Sequence, residues 1–166
     1  VGGSSNLEVI DVSDPDDITL VGFIDPGKVD VMSIQGNYIY AGEEGDTGVY
    51  VFDISDPTTP VVVDDTETAD DKVEATDIAG RYLYVGTEDN GDDLEVFDVS
   101  DPASIVKVGS LNLGDTDVHD IAVNGRYAYV TATEAFHVID ISGVEAQSVL
   151  AHSLEAGKAN IMGDAN

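Results

Sequence analysis

Two acidic loops hold the groups best suited to chemistry. EEGDTG at Glu43 to Gly48 brings together Glu43, Glu44 and Asp46, and EDNGDD at Glu88 to Asp93 brings together Glu88, Asp89 and Asp92. Calcium takes several carboxylate and carbonyl oxygens on a compact, glycine-bent loop, so it is the cofactor these loops would hold. Neither loop matches the D-x-[DN]-x-[DN]-G pattern, and the equivalent loop near Asn6 has no acid before Glu8. A solvated acidic loop is therefore the default reading. His119, His137 and His152 fall at non-equivalent places, and no G-x-S-x-G, H-E-x-x-H or thiol nucleophile accompanies them. The chain reads as non-catalytic, with a carbohydrate-active site built from carboxylates alone as the alternative.

The elements that must position these loops are set by a repeat. A hexapeptide reads IDVSDP at Ile10 to Pro15, FDISDP at Phe52 to Pro57 and FDVSDP at Phe97 to Pro102, then decays to IDISGV at Ile139 to Val144. Its first Asp (Asp11, Asp53, Asp98, Asp140) recurs at intervals of 42, 45 and 42 residues. Between hexapeptides the same order returns: VEATDIAG-like, RYLYVG-like and LEVFDVS-like stretches, then a run such as IVKVGSL from Ile105. Each is short, rich in Val, Ile, Tyr and Phe, and bounded by Gly, Asp, Asn or Pro, as strands and turns are. Along Val49 to Ile54, one face carries Val49 and Val51 and the other Tyr50, Phe52 and Ile54. A sheet apolar on both faces must be sandwiched between neighbours, and radial stacking of four-stranded sheets is a β-propeller.

The expected divisions are a partial blade at 1–28, blades at 29–72, 73–117 and 118–157, and the first strand of a following blade at 158–166. The chain is thus read as one all-β segment of an incomplete ring, its other blades or domains belonging to a larger chain. Repetition at equivalent positions speaks against catalysis by Asp11, Asp53, Asp98 and Asp140, because catalysis needs unlike groups at one place. Their carboxylates are expected to accept backbone N–H bonds in the following turn. Gly36, Gly80 and Gly125 mark hairpins, and the tyrosine pairs that follow each are expected to pack against the next blade. Lys28, Lys72 and Lys158 recur in the fourth-to-first-strand connections, where they would neutralise neighbouring acids.

This pattern of L-x-V-x-D-V-S-D-P and G-x-Y-A-Y-V resembles the LVIVD repeat of propellers in bacterial and archaeal surface or secreted proteins. The resemblance spans nearly the whole chain and implies an extracellular or cell-surface scaffold for protein or glycan contacts. Thirty-four acidic residues against six basic ones leave a formal charge of -28. That charge repels phosphate backbones and anionic membrane surfaces, so nucleic acid is not expected as a partner; membrane insertion is not expected because no apolar stretch reaches the length needed to span. Acids spread along the entire chain suit a surface adapted to strong salt, where self-repulsion is screened.

Overall fold

The computed structural model describes residues 7–27, 29–43, 48–67, 72–88, 91–114, 116–133 and 135–142. Among them every regular element is a β-strand. The first sheet is a hairpin of β1 (Leu7–Asp11) and β2 (Thr19–Ile24). The second runs in order through β3 (Val29–Gln35), β4 (Tyr38–Glu43), β5 (Gly48–Asp53) and β6 (Val61–Glu67). The third repeats it with β7 (Val73–Ala79), β8 (Tyr82–Thr87), β9 (Leu94–Asp98) and β10 (Val106–Leu111). The fourth contains β11 (Val118–Asn124), β12 (Tyr127–Ala132) and β13 (Phe136–Asp140). The fourth strand of that repeat and the strand expected at 158–166 lie outside the described residues.

All neighbouring strands are antiparallel. Gly36, Gly80 and Gly125 close the first hairpin of each repeat at φ of 61°, 61° and 62°, a left-handed conformation that a Cβ disfavours. The first strands β3, β7 and β11 touch one another in succession, which places them innermost. The protein is an all-β, propeller-like array of antiparallel blades, open at both ends among the described residues.

Three apolar layers hold the blades together. Leu7 of the first sheet packs with Ile39, Ala41 and Phe52 of the second. Tyr40, Val49 and Val51, on the other side of that sheet, meet Val73, Leu83, Val85 and Phe97 of the third. Tyr82, Tyr84, Leu94 and Val96 then meet Val118, Ile121, Ala128 and Val130 of the fourth. Alternate residues of β8 and β9 thus serve opposite layers, as the two-residue period of a strand requires. Burial of this kind contributes about 25 cal/mol per Å² of apolar surface, and a single sheet has no other way to obtain it.

The first strands depart from simple alternation. A register shift recurs between Val29 and Val31, Val73 and Ala75, and Val118 and Asp120. Plain alternation would put Val73 and Ala75 on one face; the bulge sends them to different layers. It also brings Val73 and Val118 beneath the preceding blade. A Cβ on Gly42 would lie 2.5 Å from Val73 Cβ, and one on Gly86 would lie 2.9 Å from Val118 Cβ. Polar staples add direction to the packing. Ile105 N–H donates to Asp64 Oδ2 at 2.7 Å, Val123 N–H to Asp77 Oδ2 at 2.5 Å, and Ser33 Oγ to Thr76 Oγ1 at 2.8 Å.

Candidate functional site

The second-to-third-strand loops and the fourth-to-first-strand connections share one rim. Glu88 N–H donates to the Lys72 carbonyl at 3.0 Å, and Thr133 N–H to the Asp117 carbonyl at 3.1 Å. Asp93 is buried and anchors this rim in the third blade, accepting from Thr116 N–H at 3.1 Å and from Leu113 N–H. Asn112 Nδ2 donates to the Gly91 carbonyl at 2.5 Å. These bonds fix where the acids stand.

Of the six acids singled out as calcium ligands, Glu88 and Asp92 are fully described. Glu43 is described in its backbone alone, and Glu44, Asp46 and Asp89 lie outside the described residues. Glu88 and Asp92 turn to different lysines. Lys72 Nζ pairs with Glu74 and reaches Glu88 at 3.5 Å. Lys107 Nζ pairs with Glu95 at 2.6 Å and with Asp92 at 3.2 Å. Among the described residues, no three His, Cys, Asp or Glu side chains are grouped to hold a metal ion.

The protonation preferences follow from these pairs. The hydrogen bond from Lys72 holds the Glu74 carboxyl below its usual range. Glu88 is pushed up, first by its hydrogen bond with Glu74 and then by desolvation. Asp92 is held low by Ser110 and then by Lys107. Desolvation opposes the charge on Lys107, yet the bonds to Glu95 and Asp92 outweigh it and raise its pKa. Lys107 and Glu95 escaped the sequence reading, although a signal for them exists. Tyr50 and Val62 occupy the matching places in the preceding repeat, so one blade exchanged an apolar pair for an ion pair.

At the opposite rim, the hexapeptide acids close their turns. Asp11 and Asp53 Oδ1 accept from Ser13 and Ser55 N–H at 2.8 Å, and Asp98 and Asp140 Oδ1 accept from Ser100 and Ser142 N–H at 3.0 Å. These bonds depress all four carboxyls: the serine bonds dominate at Asp11, Asp53 and Asp98, and Arg126 dominates at Asp140. Arg81 reaches Asp98 at 2.5 Å while lying 5.0 Å from the Tyr82 ring centre; Arg126 repeats the arrangement with Asp140 and Tyr127. A cleft of about 360 Å³ opens between the third and fourth blades beside Tyr82, Tyr84, Arg126 and Ile141.

Tyr40, Tyr82 and Tyr84 are buried against the next blade, and Tyr38 packs against the same layer as Tyr40. In the fourth sheet Tyr129 meets Tyr127 at a centroid distance of 6.5 Å and Phe136 at 6.3 Å. His119 Nε2 lies 3.3 Å from Thr133 Oγ1. His137 Nε2 is buried and has no hydrogen-bond partner among the described residues. His152, Lys28 and Lys158 lie outside the described residues.

A family model described as the LVIVD repeat matches residues 1–25, 26–68, 72–112 and 115–146. No curated protein sequence matches the chain. The crystal structure of the computationally designed Ika8 protein aligns with a TM-score of 0.57 at 17% identity, over 69% of this chain and 33% of that one. This chain therefore spans about a third of that protein's length, and the likeness is one of fold alone. The computationally designed Ika4 protein aligns with a TM-score of 0.41 at 12% identity, over 70% of this chain and 92% of that one.

Proposed function

Since this chain belongs to the LVIVD-repeat family, we propose that it works outside the cell or at the cell surface as a rigid, non-catalytic scaffold whose acidic rim meets a cationic protein surface. The observation that carries this reading is the engagement of its acids in structure. Asp93 organises the rim loop, and Glu88 and Asp92 lean on separate lysines. A propeller rim so tied down offers a fixed, strongly negative face, and a clustered charge of one sign steers oppositely charged partners. The formal charge of -28 supports a surface suited to strong salt.

The reading is tested by immobilising the chain and measuring binding of a basic model protein in dilute buffer. Glu88→Gln with Asp92→Asn should weaken binding, and Asp53→Asn at the opposite rim should leave it unchanged. Equal loss from both changes refutes a rim-specific contact. Retention on a glycan array, or release of sugar from polysaccharides abolished by the rim substitutions, transfers the function to the glycan-binding or carbohydrate-active class.

A further inference from the structure

The fourth repeat differs from its neighbours where its innermost strand runs into the first hairpin. Gly125 follows Asn124, whereas Gly36 follows Gln35 and Gly80 follows Ala79. Asn124 pairs with Tyr127 as the last rung between β11 and β12, so the Asn124–Gly125 peptide leads straight into the turn. Both residues are exposed. Nothing stands within 4 Å of the place that a Cβ on Gly125 would occupy.

An asparagine amide and the next backbone nitrogen can close a cyclic imide, and the chain itself holds the two reacting groups close together. Closure is hindered by a side chain on the following residue and by hydrogen bonds that occupy either group. Gly125 carries no side chain. Among the described residues, the Asn124 amide has no hydrogen-bond partner and Gly125 N–H donates to no carbonyl. Asn112 is the contrast: its Nδ2 donates to the Gly91 carbonyl, its Oδ1 accepts from Gly114 N–H at 2.8 Å, and Leu113 follows it. Pairing with Tyr127 restrains Asn124, but a rung at the exposed end of a ladder opens at small cost.

We propose that Asn124–Gly125 is a site of spontaneous covalent modification, at which the folded chain converts its own asparagine. Gly125 nitrogen gives its proton to base and attacks Asn124 Cγ. The N–Cγ bond forms, the Cγ–Nδ2 bond breaks, and Nδ2 takes up a proton and leaves as ammonia. Water then opens the imide at either carbonyl, and no oxidant or reductant is needed. One opening leaves an aspartate, adding a negative charge near Arg126 in sequence. The other leaves a β-linked isomer whose main chain is longer by a methylene, which breaks the rung with Tyr127. The proposal goes beyond the scaffold reading and does not rest on it.

The test is to hold the folded 166-residue chain in warm, mildly alkaline buffer and follow it by peptide mass mapping. Enzymatic methylation specific for β-linked aspartate reads the second product. The Asn124 amide should be lost while those of Gln35 and Asn112 persist, and the loss should quicken as pH rises because the attacking nitrogen must shed its proton. Asn124→Gln reproduces the Gln35–Gly36 pair of the second repeat; it should keep native circular dichroism and abolish the loss. An Asn124 amide that survives in the folded chain overturns the proposal, and its loss in denaturant alone would identify the ladder as the restraint. Equal loss at Asn112 and Asn124 also overturns it, because the freedom of the reacting groups would then decide nothing.

Discussion

Gly86→Ala should destabilise the joint between the third and fourth blades through a single methyl group. Its Cβ would collide with Val118 Cγ1, lie 2.9 Å from Val118 Cβ and 3.1 Å from Ile121 Cδ1. Carbon atoms at rest sit about 3.5–4.0 Å apart, and Val118 is fully buried at the bulged start of an inner strand. Overpacking of this sort costs about 1–3 kcal/mol. For a chain of this length each kcal/mol lowers Tm by about 2–4 °C, so the expected fall is about 2–12 °C. Thermal unfolding followed by circular dichroism measures it, with two companions. Gly109→Ala has nothing within 4 Å of its Cβ and no positive φ, so it should be neutral or slightly stabilising. Val118→Ala removes the methyl groups that collide. The double variant Gly86→Ala/Val118→Ala should then be more stable than the sum of the single effects by about 0.5–3 kcal/mol, as contacting residues allow. A Gly86→Ala protein melting with the parent, or strict additivity in the double variant, refutes the close-approach argument.

Glu95 is buried beside Lys107, so Lys107→Ala should destabilise by about 1–3 kcal/mol. This lies below the 3–5 of a fully buried pair because Lys107 is partly exposed; Glu95→Gln should cost less, and denaturant titration compares them. The hexapeptide acids have folded pKa values below their unfolded ones, so their stabilisation is complete above about pH 4 and disappears as pH falls through the depressed values. Asp53→Asn/Asp98→Asn should flatten the loss of Tm between about pH 4 and pH 2; an unchanged acid limb refutes the turn-bond account. Sodium chloride should raise the unfolding midpoint by screening the charge of -28. Calcium should do no more than sodium at equal ionic strength, and a larger rise with heat in a calorimetric titration establishes a metal site in the acidic loops.

How much of this was legible beforehand depended on whether the information was periodic. Recurrence of Asp11, Asp53, Asp98 and Asp140 fixed the blade length, and alternation in Val49–Ile54 announced a sheet buried on both sides; Phe52 and Val51 indeed serve opposite layers. Local turn chemistry was equally readable, since an Asp two residues before a Ser reaches its N–H without help from distant chain. The rim was less so. Carboxylates that look alike in EDNGDD separate into Asp93, buried and accepting backbone bonds, and Asp92, half-exposed beside Lys107. Which does which depends on a connection about 20 residues later in the chain.

Sequence alone determined that the chain is built of repeated antiparallel sheets with two apolar faces, because strand period and turn composition act over a few neighbouring residues. Tertiary structure decided how the sheets meet. The bulge that parts Val73 from Ala75, the glycines that admit a valine from the next blade, and the Lys107–Glu95 pair all arise where surfaces distant in the chain compete for the same space. Steric fit and desolvation act between such surfaces, and neither has a signature within one strand.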